Sequence, residues 1–271
     1  MCNQLFHLIT GYGIARTLNR VHYLPYDNKV LPHVQGYLEK FKEIFPRLQQ
    51  TYVIAKNGTN QTEVSFAGSC CRYDDPRRLL NNTAKYIRLG FTFGQNSRYF
   101  EDYLDDVRKL LQFSSRVSRE GDYIIDSWHL ARNNTMCLHT RVTDFVVRNI
   151  STDIKQTVTA TNSIAKRLGL KRFLIFGDDG KFMANLSLSI IEAGKWKKDV
   201  VVISRFKEDI DFYLSSQVCR SFLITAVTST FGWWLAFFSI DQNAVFYVTD
   251  NRKHADKIPS KELFLKTWRQ V

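Results

Sequence analysis

Three clusters of polar residues, each following an apolar run, hold the chemistry this chain can offer. The first is His139, Arg141, Thr143 and Asp144; the second is Gly177, Asp178 and Asp179; the third is Thr228, Ser229 and Thr230. The forked guanidinium of Arg141 suits a diphosphate, or otherwise a surface ion pair. Ser229 and Thr230 offer hydroxyls and free backbone N–H groups to a phosphate at a helix N-terminus, or act as an ordinary cap. Asp178 and Asp179 either accept from a base or ribose or cap a helix. At three strand ends, the set favours a nucleotide-diphosphate ligand. Asp209-Ile210-Asp211 has the form of the Asp-x-Asp pair that holds a divalent ion on a nucleotide sugar. It also opens an amphipathic helix, where the dipole favours acidic residues, and the capping role is preferred. The absence of a P-loop and of a GxGxxG run argues against a triphosphatase and a dinucleotide oxidoreductase.

The elements that must position these clusters alternate in the second half of the chain. Strands are expected at Met136–Arg141, Arg172–Phe176, Asp199–Ser204, Phe222–Val227 and Val245–Val248. Between them lie a helix capped by Thr152 or Asp153 and running to Leu168, then helices at Lys181–Ala193, Glu208–Cys219 and Phe231–Phe238. Strands apolar on both faces, alternating with helices, predict a doubly wound parallel sheet. In such a sheet ligands bind beyond the carboxyl ends of the strands, where the three clusters fall. The first half is expected to hold helices at Gln4–Asn19, Val34–Phe45 and Tyr99–Phe113, with extended runs at Val21–Leu24, Thr51–Ile54 and Glu63–Phe66. The domain junction is placed between Phe113 and Thr135, giving domains 1–125 and 126–271. Ala55–Thr62 reads as a solvated loop, and the stretch from Ala67 to Arg98 as variable loops suited to an acceptor pocket.

Composition narrows the class. A length of 271 residues with 44% hydrophobic and 24% charged residues predicts a globular protein of two domains. The net charge of +12 is scattered in ones and twos rather than gathered into a stripe with aromatics, which disfavours polynucleotide binding. Cys2, Cys70, Cys71, Cys137 and Cys219 form no CxxC pair and have no histidine at ligand spacing, so a zinc site is not expected. Asn-x-Ser/Thr sequons at Asn57, Asn60, Asn81, Asn133, Asn149 and Asn185 exceed what chance supplies and point to the glycosylation machinery. The apolar stretch Phe222–Ile240 has the length of a membrane span, but Thr225, Thr228, Ser229, Thr230 and Gly232 at its centre read as strand, turn and buried helix.

Four segments carry a family resemblance. Asn3-Gln4-Leu5-Phe6 with Gly11-Tyr12 resembles the Gly-x-Gly-Asn-Gln-Met/Leu-Phe start of the α1,2-fucosyltransferases. His139-Thr140-Arg141-Val142-Thr143-Asp144-Phe145 is similar to their His-x-Arg-Arg-x-Asp-Tyr motif, Phe176-Gly177-Asp178-Asp179 to Phe-Ser-Asp-Asp, and Ser229-Thr230-Phe231-Gly232-Trp233-Trp234 to Ser-Thr-Phe-Ser-Trp-Trp. The order is conserved across nearly the whole chain.

The resemblance implies an α/β fold of the GT-B type, two Rossmann-type domains facing a cleft, with GDP-fucose as donor, a glycan acceptor, inversion at the transferred carbon and no metal. It implies a Golgi type II membrane protein with an N-terminal anchor; neither an anchor nor a signal peptide is read ahead of Asn3. The family's glycine turn and first strand are expected ahead of Asn3 as well, so that this chain reads as starting inside its first motif. It assigns Asp144 as the candidate base, Arg141, Ser229 and Thr230 to the diphosphate, Asp178 and Asp179 to the nucleoside side, and Asn3 and Gln4 to the donor from the other domain. His139 either helps to position the phosphate or packs under the motif. Three departures stand out: Val142 replaces the second arginine, Thr228 replaces the usual Asn, and the leading glycines are absent. Two alternatives follow: a catalytically inactive sugar-nucleotide-binding relative, and a fucosyltransferase acting at another acceptor position.

Overall fold

Apolar residues lie on nearly every side of the first helix, and the helix is buried to match. This is α1, Cys2–Thr17, with Leu5, Phe6, Leu8 and Ile9 almost without exposure. The computed structural model describes residues 1–25, 31–68, 71–90, 94–252 and 260–271. Parts of the expected loop region, residues 69–70 and 91–93, and with them Cys70, lie outside the described residues.

The chain divides into two compact units, Met1–Ser114 with Ala255–Leu265, and Ser115–His254 with Lys266–Val271. In the first unit, α1 is followed by β1 (Tyr23–Leu24), α2 (Leu31–Ile44), β2 (Val53–Ile54), β3 (Thr62–Ser65), β4 (Ile87–Gly90) and α3 (Leu104–Leu110). β1 pairs with β2 and β3 with β4, both parallel, as two separate two-stranded sheets. α1 is fastened at Thr10, whose hydroxyl donates to Gly94 O at 2.7 Å.

The second unit opens with α4 (Ser115–Ser127) and continues through β5 (Thr135–Thr140), α5 (Thr143–Val146), α6 (Ile154–Leu168), β6 (Arg172–Gly177), α7 (Gly180–Gly194), β7 (Val201–Ile203), α8 (Glu208–Val218), β8 (Cys219–Ile224), α9 (Thr230–Phe238) and β9 (Val245–Tyr247). α10 (Ser260–Leu263) belongs to the first unit, and β10 (Arg269–Gln270) returns to the second. The strands form one sheet in the order β10-β9-β8-β5-β6-β7, parallel at every pairing. The chain leaves β5 outward through β6 and β7, then crosses back to β8 and proceeds outward on the other side. The strand order therefore reverses between β5 and β8, and the crevice beyond their carboxyl ends is where a doubly wound sheet takes its ligand.

Alternation along the strands sorts the core into two layers. Met136, Leu138, Phe173, Ile175, Leu223 and Phe246 pack with Ile164 and Ala165 of α6 and Leu186 and Ile190 of α7. On the other side Phe176 stacks on Phe222 at 6.2 Å, and Phe212 of α8 meets Phe231 and Phe238 of α9. Cys137 and Cys219, both fully buried, form a disulfide across the neighbouring strands β5 and β8. Sequence had left the cysteine pairing open.

The expected strands and helices of the second half are present, with ends shifted by up to three residues. Phe222–Ile240 is the expected strand, turn and helix, and no helix among the described residues is long and apolar enough to cross a membrane. α4 stands inside the stretch read from sequence as a junction; Val117, Gly121, Ile124 and Ile125 form its buried stripe, and it packs on α8. The helix expected over Tyr99–Phe113 is shorter, because single 3-10 turns occupy Ser97–Tyr99 and Glu101–Tyr103.

Candidate active site

β5 is buried along its whole length and ends at Thr140, so Arg141 is the first residue to emerge at the crevice. Its backbone is fixed by a chain of hydroxyls. Arg141 N–H donates to Thr152 Oγ1 at 3.0 Å, and Thr152 Oγ1 lies 2.9 Å from Thr225 Oγ1. Thr225 Oγ1 in turn donates to the carbonyl of His139 at 2.6 Å. Because Thr225 gives its proton to His139, it must accept from Thr152, so every proton in this chain has one direction. The chain ties the end of β5 to the end of β8 at the reversal point. Neither Thr152 nor Thr225 was singled out from sequence as a site residue; each resembles an ordinary cap or strand-end threonine.

The side chain of Arg141 is held from below. Nε donates to Asp144 Oδ1 at 2.8 Å and lies 3.3 Å from Asp178 Oδ2. Its terminal nitrogens make no hydrogen bond or ion pair among the described residues. Two parallel donors thus remain for an anion, the geometry that a guanidinium offers to a diphosphate. The guanidinium also lies over the Phe145 ring, 5.7 Å from its centre.

Asp178, expected to face the nucleoside, has its carboxylate occupied within the protein. It accepts from Val142 N at 2.9 Å, from Thr143 N at 3.2 Å and from the Thr143 hydroxyl, in addition to its ion pair with Arg141. A carboxylate has about four acceptor positions, and these four donors fill them. Asp179 caps α7, accepting from Lys181 N and Phe182 N at 2.9 Å each. Both are therefore part of the turn architecture. Asp144 is about half exposed, and the hydrogen bond from Arg141 holds its carboxyl below the ordinary aspartate range. That pairing lowers its basicity, which suits holding Arg141 better than taking a proton early in a reaction.

His139 lies entirely out of solvent, with neither ring nitrogen hydrogen-bonded among the described residues. Phe231 packs edge-on at 5.5 Å, and a Cβ at Gly232 would stand 2.5 Å from His139 Nδ1. Glycine at 232 is thus what lets the first turn of α9 seat on the imidazole. Burial pushes the histidine down to about 3, against the attraction of Asp178, so it is neutral. Packing under the motif is the role its position allows. Ser229 caps α9 and accepts from Gly232 N at 3.4 Å; Thr230 is the first residue of that helix. The first turn of α9 follows β8, the strand beside which the order reverses.

Asp209 and Asp211 diverge. Asp209 pairs with Arg116 at 2.8 Å, while Asp211 is buried and accepts from the Ser204 hydroxyl. In the first unit, Asn3 and Gln4 lie in the first turn of α1, Asn3 exposed and Gln4 with a buried Oε1 that has no hydrogen bond among the described residues. The six sequon asparagines are all exposed.

A galactoside 2-alpha-L-fucosyltransferase of Caenorhabditis elegans is 27% identical to this chain over 282 residues, covering 99% of it and 76% of the relative. A second C. elegans protein of the same name is 24% identical over 271 residues, covering 90% of this chain and 67% of the relative. No protein-family model matches. Among solved structures, POFUT1 in complex with GDP-fucose aligns with a TM-score of 0.56 and 9% identity over 88% of this chain and 90% of that one. The fold is of the GT-B type. Over nearly the whole chain, the sequence relationship is to proteins named as fucosyltransferases and supports a glycosyltransferase similar to them.

Proposed function

We propose that the protein transfers L-fucose from GDP-fucose to a hydroxyl of a β-galactoside glycan, forming an α1,2 linkage with inversion. The observation that carries this is Arg141, held by Asp144 and Asp178 through Nε, with two donors left over at the point where the strand order reverses. Transfer by inversion separates charge, with positive charge developing on the fucose ring and negative charge on the departing diphosphate. Arg141 and the first turn of α9 stabilise the second of these. When departure leads and bond formation follows, the acceptor hydroxyl becomes acidic late, and a carboxylate as weak as Asp144 suffices to take its proton. The linkage and acceptor rest on the names of the C. elegans relatives, and the donor on those names together with the ligand of POFUT1.

The setting is the Golgi lumen. The buried Cys137–Cys219 disulfide and six exposed sequon asparagines, at 57, 60, 81, 133, 149 and 185, suit an oxidising, glycosylating compartment. A second function is favoured by Val142, where the motif loses one positive charge: donor binding without turnover. The experiment is transfer from GDP-fucose to a β-galactoside acceptor by the protein and by Arg141→Ala, with linkage analysis of the product. An α1,2 product lost in the variant supports the activity; GDP-fucose binding without product supports the alternative.

A further inference from the structure

Past the carboxyl end of β9, Asp250 and Arg252 form a pair that the proposed chemistry leaves unused. The Asp250 side chain is 3% exposed, and Arg252 grips it twice, Nε donating to Oδ1 at 2.8 Å and Nη2 to Oδ2 at 2.7 Å. The backbone N–H of Arg252 donates to the same Oδ1 at 3.0 Å. A fork of this kind fixes the guanidinium in its plane. The other terminal nitrogen, Nη1, donates to the carbonyl of Ser151 at 2.8 Å. Each side-chain nitrogen of Arg252 thus has a partner within the protein, and the Asp250 carboxylate beside it repels an anion, so Arg252 does not share the role of Arg141. Ser151 opens a short strap, residues 151–153, that lies against the residue following β5. Its centre, Thr152, pairs with Arg141 in both directions: Thr152 N–H donates to Arg141 O at 3.0 Å, and Thr152 Oγ1 accepts from Arg141 N–H at 3.0 Å. Asp153 closes the strap by capping α6, accepting from Gln156 N–H at 2.7 Å. Gln156 adds a second fastening, its Nε2 donating to Thr249 O at 2.8 Å just past β9. The strap is therefore tied to the chain after β9 and to Arg141 after β5, although β8 lies between those strands in the sheet.

We propose that Arg252 is a positioning residue for Arg141: braced on Asp250, it holds the Ser151–Thr152 segment that fixes the Arg141 backbone, and so aims that guanidinium at the donor diphosphate. This rests on the assignment of Arg141 to the diphosphate. Nε of Arg141 is engaged by Asp144 and Asp178, so the direction of its remaining donors follows from where its backbone stands. A strap that slides by about 1 Å takes those donors off the anion they meet. The buried carboxylate at 250 serves the same end, because it keeps the Arg252 fork from turning away from Ser151.

A double-mutant cycle on GDP affinity tests the proposal, with calorimetric binding to the protein, to Arg252→Gln, to Arg141→Ala and to the two combined. Arg252→Gln gives up the fork and the charge. It is expected to weaken GDP binding about three- to tenfold, and to add nothing where Arg141 is already alanine. Guanosine binding is expected to stay the same, which a general loosening of the unit would not allow. Unchanged GDP affinity in Arg252→Gln, an equal loss in both backgrounds, or a parallel loss for guanosine overturns the proposal and leaves the assignment of Arg141 standing. If Arg141→Ala by itself binds GDP as tightly as the protein does, that assignment fails and the proposal falls with it. Should Arg252→Gln fail to fold, Arg252→Lys, which keeps the charge but not the fork, takes its place in the cycle and is decided by the same outcomes.

Discussion

Asp178, at the end of one strand, accepts the backbone N–H of Val142, just past the end of its neighbour, at 2.9 Å. Parallel pairing of β5 with β6 brings the two together across 36 residues of sequence. The turn that presents Arg141 is therefore built by a carboxylate from another strand. Asp178→Asn keeps the shape but gives up charge and acceptor capacity against the Val142 and Thr143 amides. It is expected to cost about 2–3 kcal/mol in urea denaturation and to weaken donor binding with it.

The hydroxyl chain from Arg141 through Thr152 and Thr225 to His139 makes a separate prediction. Thr225→Val is nearly isosteric but leaves Thr152 without its acceptor and the His139 carbonyl with only the longer bond from the Thr225 backbone N–H at 3.4 Å. A loss of about 1–2 kcal/mol in stability is expected, with serine at 225 restoring most of it. Denaturation of the three proteins side by side decides the matter.

Much of the second unit was legible in the sequence, because its strands are short continuous apolar runs and each helix carries a visible cap or stripe. Asp153 and Asp179 cap α6 and α7 with their side chains, accepting from Gln156 N and from Lys181 N and Phe182 N. The role of Asp178 was not legible, since its partners come from the β5–β6 register and not from local spacing. The Cys137–Cys219 pairing is likewise a product of β5 lying beside β8. α4 was hidden by its charged residues, although its apolar positions repeat at helical spacing. In the first unit, strands of two residues leave almost no period to read.

Asp211 gives the protein a distinctive pH dependence. Burial pushes its carboxyl up to about 8 from 3.8, with Asp209 and Glu208 adding to the effect and Ser204 opposing it. The folded state thus holds a proton that the unfolded chain releases near pH 4. The contribution is full below about pH 4 and is lost as pH rises towards about 8, by up to about 1.4 kcal/mol per unit. Urea midpoints are expected to fall across that window, and Asp211→Asn to flatten the fall. An equal slope in the variant would contradict the assignment.

The disulfide closes a loop of 82 residues between two central strands. Cys219→Ala is expected to lower stability by about 3–5 kcal/mol, and a non-reducing peptide map to recover Cys137 and Cys219 in one linked fragment.

The most direct measurement is calorimetric binding of GDP and of guanosine to the protein and to Arg141→Ala and Arg141→Lys. GDP is expected to bind the protein and to lose about 10- to 100-fold in affinity with alanine, with lysine restoring only part because it offers no fork. Guanosine binding is expected to be unchanged across the three. Equal GDP affinity in all three proteins would contradict the assignment of Arg141 to the donor diphosphate, and with it the proposed function.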